Sequence, residues 1–474
     1  MEFSQAIDSD EQINYTEYVA TFQKGERVFM PKASIALSEH FTYKKLLRFT
    51  LPSVAMMLFT SIYYIVDGYF VSNFVGATPF AAVNLIMPFI MIFDAVGFMV
   101  GSGGTALVAK TLGEGKRKKA NELFSLLIYL LIATGAVFSV ISIMFMDRMA
   151  RLLGADAQML PHCTVYGKYV MAGLIPFALQ SAFQSFCVTA ERPKMGFFIT
   201  LAAGITNMVL DALFMGVFGW GVEGAGLATM LSQCVGGFVP LIYFAAPNKS
   251  LLRLGKTHWD PRAVLKSCTN GASEFVTNIS FPLVNMLYNY QLMKLAGEKG
   301  VAAFGVLMYT AFMFVAVFIG YSIGSAPLFG YNFGAKNHEQ LHNLFKKSMV
   351  IVGAASVVLT ALAVGGANPI CRLYVGYDKE LLALSQRAYR IFSISLLCCG
   401  FNIFGSAFFT ALNNGKVSAA ISFSRTLVFQ LIAIFTLPLL WGVDGVWFAN
   451  DVAELAALAV TVTFFLTQRK KYKY

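Results

Sequence analysis

Of 474 residues, 57% are hydrophobic and 13% charged, about half the usual charged share of roughly 25%. Mean hydropathy is +0.64, which is more apolar surface than a water-soluble core can hide, so the bilayer is the expected solvent for most of the chain. The net charge of +11 comes from Lys and Arg scattered in short loops, which argues against a nucleic-acid groove and for membrane orientation.

In chain order, residues 1–40 are expected to form a flexible cytoplasmic tail. They are polar, mixed in charge and without the apolar region and cleavage site of a signal peptide. Six apolar stretches follow, at 46–71, 80–109, 121–146, 164–188, 195–218 and 222–245. A basic linker at 246–266 carries Lys249, Arg253, Lys256 and Arg262. Six more stretches lie at 267–293, 301–330, 344–366, 385–411, 417–440 and 445–466, before a basic end at 467–474. Each is long enough to cross a bilayer, and each reads as a helix, because only a helix satisfies its own backbone within one span. Lys and Arg concentrate in the tail, the even-numbered loops and the C-terminal end, which places both termini and the linker in the cytoplasm. The seven Cys lie in or beside apolar runs without metal-ligand spacing, so core packing is their expected role.

The two halves are related by a shift of 221 residues. "WGVEG" at 220–224 returns as "WGVDG" at 441–445. The same offset, without a gap, brings Gly76 onto Gly297, Gly103 onto Gly324, Gly113 onto Gly334 and Thr189-Ala190 onto Thr410-Ala411. Six spans per repeat is an even number, so both repeats enter from one side. The expected fold is therefore an all-α integral membrane protein. Twelve transmembrane helices form two parallel six-helix repeats, an N-lobe at 41–245 and a C-lobe at 267–466, related by a pseudo-twofold axis along the membrane normal.

Polar groups inside spans are costly and usually employed. Asp67 lies eight residues before the outer end of span 1, Asp211 eight before the outer end of span 5, and Thr229 eight after the outer start of span 6. All three should sit roughly 12 Å below the outer surface, with Asn207 one turn from Asp211 on the same helix face. Two carboxylates, an amide and a hydroxyl at one level could hold a small hard cation or a proton. Under the 221 shift these four become Tyr288, Val428, Ile432 and Asn450, so bundle packing alone does not demand the acids. In the second half, Glu274 and Arg425 match in depth and are expected to pair. Asp451 and Glu454 in span 12, with Asp94 in span 2, are weaker candidates that could face a water-filled cavity.

Other motifs carry little. "GSGGTA" at 101–106 follows no strand and precedes no GK[ST], so its small residues suit close helix packing. His338 and His342 are spaced i, i+4 but flanked by Lys336 and Lys346 at a loop-to-helix junction, where a solvated face outweighs a metal site. HEQLH at 338–342, at that same junction, has the HExxH spacing, and GYSIG at 320–324 has the GxSxG spacing but lies inside an apolar span with no strand before it, so neither has the context its chemistry needs. No ATPase domain is recognisable, so uphill transport would have to draw on an ion gradient.

This pattern resembles the multidrug and toxic compound extrusion (MATE) family over residues 40 to 466. The segments that carry the likeness are 51–76, "GSGGTALVAKTLGEGK" at 101–116, "NMVLDALF" at 207–214, "GAGLAT" at 224–229 and "GSAPLFGYNFGAKN" at 324–337. The span-1 Asp with Asn-x-x-x-Asp in span 5 is similar to the DinF-like branch, and that likeness assigns the coupling site to Asp67, Asn207, Asp211 and Thr229, with a hinge at Pro52. If the ion is Na⁺, its implied ligands are Asp67, Asn207 and Asp211. Glu274 matches the span-7 glutamate of NorM-like members, but spans 8 and 10 lack acids, which favours the N-lobe. Glu274, Arg425, Asp451 and Glu454 are left as a substrate-binding or structural polar group. The resemblance implies a multi-pass inner-membrane antiporter, not an enzyme. It would export small, often cationic and aromatic drug-like compounds by alternating access, coupled to H⁺ or Na⁺, with no cofactor, no nucleic-acid partner and a monomeric state. The rivals are a lipid-linked precursor flippase, which would need a strongly cationic cavity, and an intramembrane enzyme, for which no nucleophile-base set is recognisable.

Overall fold

The computed structural model describes residues 35–474. The tail expected over 1–40 lies outside the described residues as far as 34. Where it is described, it is not loose: residues 36–41 turn back against the helices, with Leu37 and Phe41 fully buried.

The described residues form twelve membrane-length helical segments, several longer than their apolar runs. The first repeat comprises α1 (Tyr43–Phe74), α2 (Ala77–Gly113), α3 (Arg117–Leu152), α4, α5 and α6 (Gly221–Ala245). Within it, α4 consists of Leu160–Ala172 and Leu174–Thr189, which meet at 55° across Gly173. Helix α5 (Pro193–Asp211) continues as a wider π-turn over Ala212–Val217. The second repeat begins with a helical stretch over Pro261–Gly334, whose backbone breaks at Gly297 with φ 61° and ψ −154°. That break divides α7 (261–296) from α8 (298–334). Helix α9 (His338–Val375) and the interrupted α10 (379–411) follow. A last stretch from Gly415 to Tyr472 breaks at Gly442 with φ 57°, dividing α11 (415–441) from α12 (443–472).

Both breaks reverse the chain. Tyr288 stacks on Phe304 with ring centroids 5.0 Å apart, although sixteen residues of straight helix would separate them by roughly 24 Å. The Arg425 Nε lies 2.7 Å from Glu454 Oε1, which is likewise impossible along one rod. A left-handed φ of this kind suits glycine, which has no Cβ to clash. The corners obey the 221 shift: Gly76 and Gly297, and Gly221 and Gly442, all have positive φ.

Caps fix the helix starts. Thr42 accepts the Lys45 N–H at the head of α1, and Asp260 accepts those of Arg262 and Ala263 at the head of α7, each satisfying donors that the first turn leaves free. The linker packs along the first repeat. Arg117 donates to the Ser250 carbonyl at 3.0 Å, Thr257 donates to the Glu122 carbonyl, and Leu252 is buried. These contacts define a linker face of the bundle.

Near that face the repeats meet through glycines. A Cβ on Gly113 of α2 would lie 1.9 Å from the Tyr331 carbonyl oxygen of α8, and one on Gly334 would lie 2.0 Å from that of Lys110. Tyr331 and Lys110 are themselves 221 residues apart, so the contact is its own image under the pseudo-twofold axis. Gly103, within the GSGGTA stretch, similarly abuts the Ser267 carbonyl of α7. Small residues here let backbones touch, as helix packing in lipid requires. Gly113→Ala and Gly334→Ala should each wedge α2 from α8 at a cost of about 1–3 kcal/mol. Lowered melting temperatures in detergent would register that cost, and unchanged melting in both variants would contradict a closed seam.

Candidate cation-coupling site

Asn207 and Asp211 sit one turn apart on α5, and both are fully buried. Across from them, on α1, the half-buried Asp67 brings its carboxyl close to Asp211 and Asn207. Neither ionised carboxylate supplies a hydrogen, and no well-aligned hydrogen bond reaches either Asp211 oxygen or either polar atom of Asn207. Buried polar atoms are nearly always paired, and two facing carboxylates repel unless a proton or cation lies between them. The donor set therefore suits a proton or a small oxygen-seeking cation. Among the described residues no group of three or more His, Cys, Asp and Glu is placed to hold a metal ion, so a site for a thiolate- or imidazole-bound metal is not offered.

Two local features shape this arrangement. The helix widens into its π-turn immediately after Asp211, and such widenings, which redirect side chains, recur at functional sites. Helix α1 runs through Pro52 without a break. Proline cannot donate to the carbonyl one turn back, so α1 carries a point of low bending cost there.

Thr229 is less directly placed. Its hydroxyl donates to the Ala225 carbonyl at 2.9 Å and lies beside the hydroxyl of Tyr166, which is within electrostatic range of Asp67 and Asp211. Tyr166 on α4 and Tyr63 on α1 thus belong to the surroundings of the site, and the sequence reading missed both. The only signal was an aromatic at a suitable depth, which many lipid-facing residues share. Asp94 is buried and accepts the Ser181 hydroxyl at 2.5 Å, so it has a protein partner where Asp211 has none.

The expected pairing in the second repeat is corrected. Arg425 pairs not with Glu274 but with Glu454 at 2.7 Å, and its terminal nitrogen reaches Cys399 Sγ at 3.3 Å. Glu454 also accepts Asn402 Nδ2 at 2.8 Å, and Asn402 is held by Thr461. Glu274 feels the Arg425 charge without forming an ion pair. The physical reason is that matched depth does not fix which neighbour a side chain faces: Arg425, within a second π-turn over Ser424–Val428, reaches α12 and not Glu274. Asp451 lies near Glu454, and its buried oxygens lack well-aligned partners.

At the place equivalent to the first-repeat acids, the second repeat has uncharged side chains joined by hydrogen bonds. Tyr288 donates to Gln430 Oε1 at 2.8 Å, and Gln430 donates to Asn450 Oδ1 at 2.8 Å. One repeat holds two facing carboxylates short of hydrogens; at the equivalent place the other holds a donor-acceptor chain, with the single carboxylate of Asp451 within electrostatic range of Tyr288.

Comparison with known proteins agrees with this architecture. The MatE family model matches twice, at residues 52–213 and 275–436, one match per repeat. The "Multidrug export protein MepA" of Staphylococcus haemolyticus (strain JCSC1435) is 23% identical over 434 residues, covering 91% of this chain and 95% of that protein. A solved structure described as "Outward-facing conformation of a multidrug resistance MATE family transporter of the MOP superfamily" superposes with a TM-score of 0.86 at 21% identity, covering 92% of this chain and 97% of that one. Another, "Crystal structure of MATE in the straight conformation", gives 0.86 at 20% identity, covering 92% and 98%.

Proposed function

Because this chain belongs to the MatE family, we propose that it is an inner-membrane antiporter exporting small organic cations by alternating access. Both termini and the linker face the cytoplasm, and the coupling ion, H⁺ or Na⁺, is held by Asp67, Asp211 and Asn207. The observation that carries the reading is the facing Asp67–Asp211 carboxylate pair beside the buried Asn207 of α5, where the second repeat has the hydrogen-bonded chain Tyr288–Gln430–Asn450 instead. Relatives named multidrug export proteins support drug-like cargo. The seam of α2 against α7 and α8 closes the linker face, which supports an outward-facing state.

A bound ion stabilises the two carboxylates together. Its loss restores their repulsion and favours movement of α1 about Pro52, shifting the balance between outward- and inward-open forms by the difference in ion affinity of the two states. A flippase for a phosphorylated lipid headgroup finds less support, because the buried Arg425 is already neutralised by Glu454.

Purified protein in liposomes loaded with a fluorescent organic cation should expel it under an imposed H⁺ or Na⁺ gradient, each tested separately. Dependence on neither gradient would sink the proposal. Orientation has its own check. A Cys placed at Lys256 in intact cells should resist membrane-impermeant thiol reagents, and labelling there would reverse the topology.

A further inference from the structure

We propose that residues 36–41 form a latch that holds the linker face shut, anchored on Glu191 of the first repeat and Lys347 of the second. The strap touches both repeats. The Leu37 N–H donates to Glu191 Oε1 at 2.6 Å, in the corner between α4 and α5. On the other side, Lys347 Nζ and Asn343 Nδ2 of α9 both donate to the Phe41 carbonyl, at 2.6 and 3.1 Å, and Gln340 reaches the Glu39 carbonyl. Leu37 and Phe41 are fully buried, so release would expose two large apolar side chains as well as breaking charge-assisted hydrogen bonds.

Glu191 holds this position with a left-handed φ of 60°, a conformation costly for a side chain of its kind and therefore one the surroundings impose. The matching corner of the second repeat, between α10 and α11, has Asn413 at φ 58°. Asn413 donates across the repeats to the Ala106 carbonyl of α2 at 2.9 Å. Each repeat thus sends one tie across the linker face from the same kind of corner. The first repeat's tie runs through the strap.

The strap leads directly into α1. Glu39 closes it into a turn by accepting the Ala36 N–H and pairing with Lys45, and Thr42 then caps the helix. Parting the repeats at this face must break the strap's hold on Glu191 or on α9. Either break frees the end of α1 that lies before Pro52. The latch therefore couples opening of this face to the helix that carries Asp67.

The latch rests on the proposed transport reading only for what the gate serves, because its test needs neither gradient nor cargo. Spin labels at the exposed positions Lys118 and Glu339, on opposite repeats, report the width of the linker face by pulsed electron resonance in nanodiscs. Glu191→Ala and Lys347→Met should each raise the long-distance population at least severalfold. The double variant should do no more than the stronger single one, because the two anchors act in series along one strap. Glu191→Gln keeps the acceptor oxygen and should keep the wild-type distribution, which separates latch loss from general damage at that corner. If the single variants fail to fold, Asn343→Ala is expected to show a smaller shift in the same direction. Distances unchanged in Glu191→Ala and Lys347→Met, or a Glu191→Gln shift as large as that of Glu191→Ala, would overturn the latch.

Discussion

Asp67→Asn is expected to reduce gradient-driven efflux by about tenfold or more, the scale of a lost coupling free energy between two sites, while leaving folding intact. The change is almost isosteric and removes one of two carboxylates that repel each other in the absence of an ion, so thermal stability should hold or rise slightly. Asp211→Asn should behave alike, because either substitution leaves one carboxylate facing an amide that can itself donate. Tyr288→Phe, at the place of Asp67 in the second repeat, separates coupling from structure. It strips the Gln430 carbonyl of its donor and should cost about 1–3 kcal/mol of stability without uncoupling transport. Efflux from liposomes, scored beside a melting curve for each variant, decides the matter. Normal gradient-driven efflux in Asp67→Asn protein would move the ion elsewhere, with Glu274 and Asp451 next in line.

Arg425→Ala should damage folding more than removal of both charges. Arg425 and Glu454 form a buried pair at 2.7 Å with side chains only 15% and 5% exposed. Deleting the cation strands Glu454 and costs about 3–5 kcal/mol, whereas replacing both partners by apolar residues is often close to neutral. The double variant Arg425→Met/Glu454→Leu should therefore melt well above Arg425→Ala. Strict additivity across that cycle would argue against a direct interaction. Glu274→Gln combined with Arg425→Ala should recover little, because Glu274 is not the ion-pair partner.

The particular residues show what a sequence can and cannot disclose. The twelve helices follow from apolar length, and the 221-residue repeat from matched glycines, because both depend on local composition. Asp67, Asn207 and Asp211 could be grouped because residue count approximates depth: α1 is regular from Asp67 to its outer end, and the π-turn over Ala212–Val217, between Asp211 and the outer end of α5, shifts that count by only about one residue. The Arg425 pairing failed for the converse reason. Residue count gives depth and not azimuth, so counting set Arg425 at the right level and could not tell Glu454 from Glu274 as its neighbour. Tyr166 offers no signal in the sequence beyond an aromatic at a suitable depth. The strap resembles a loose tail in sequence because nothing local shows that Leu37 and Phe41 are buried beside Glu191 and Lys347, about 150 and 300 positions away.

The most direct test of the central claim is a count of ions displaced by cargo. Purified wild-type protein in weakly buffered solution is titrated with tetraphenylphosphonium while a pH indicator follows protons, and the titration is repeated with a sodium electrode. One of the two ions should be released on binding of the organic cation, and that release should be lost in the Asp67→Asn/Asp211→Asn double variant, which should still bind the cation. Undiminished release from that double variant would contradict the central claim.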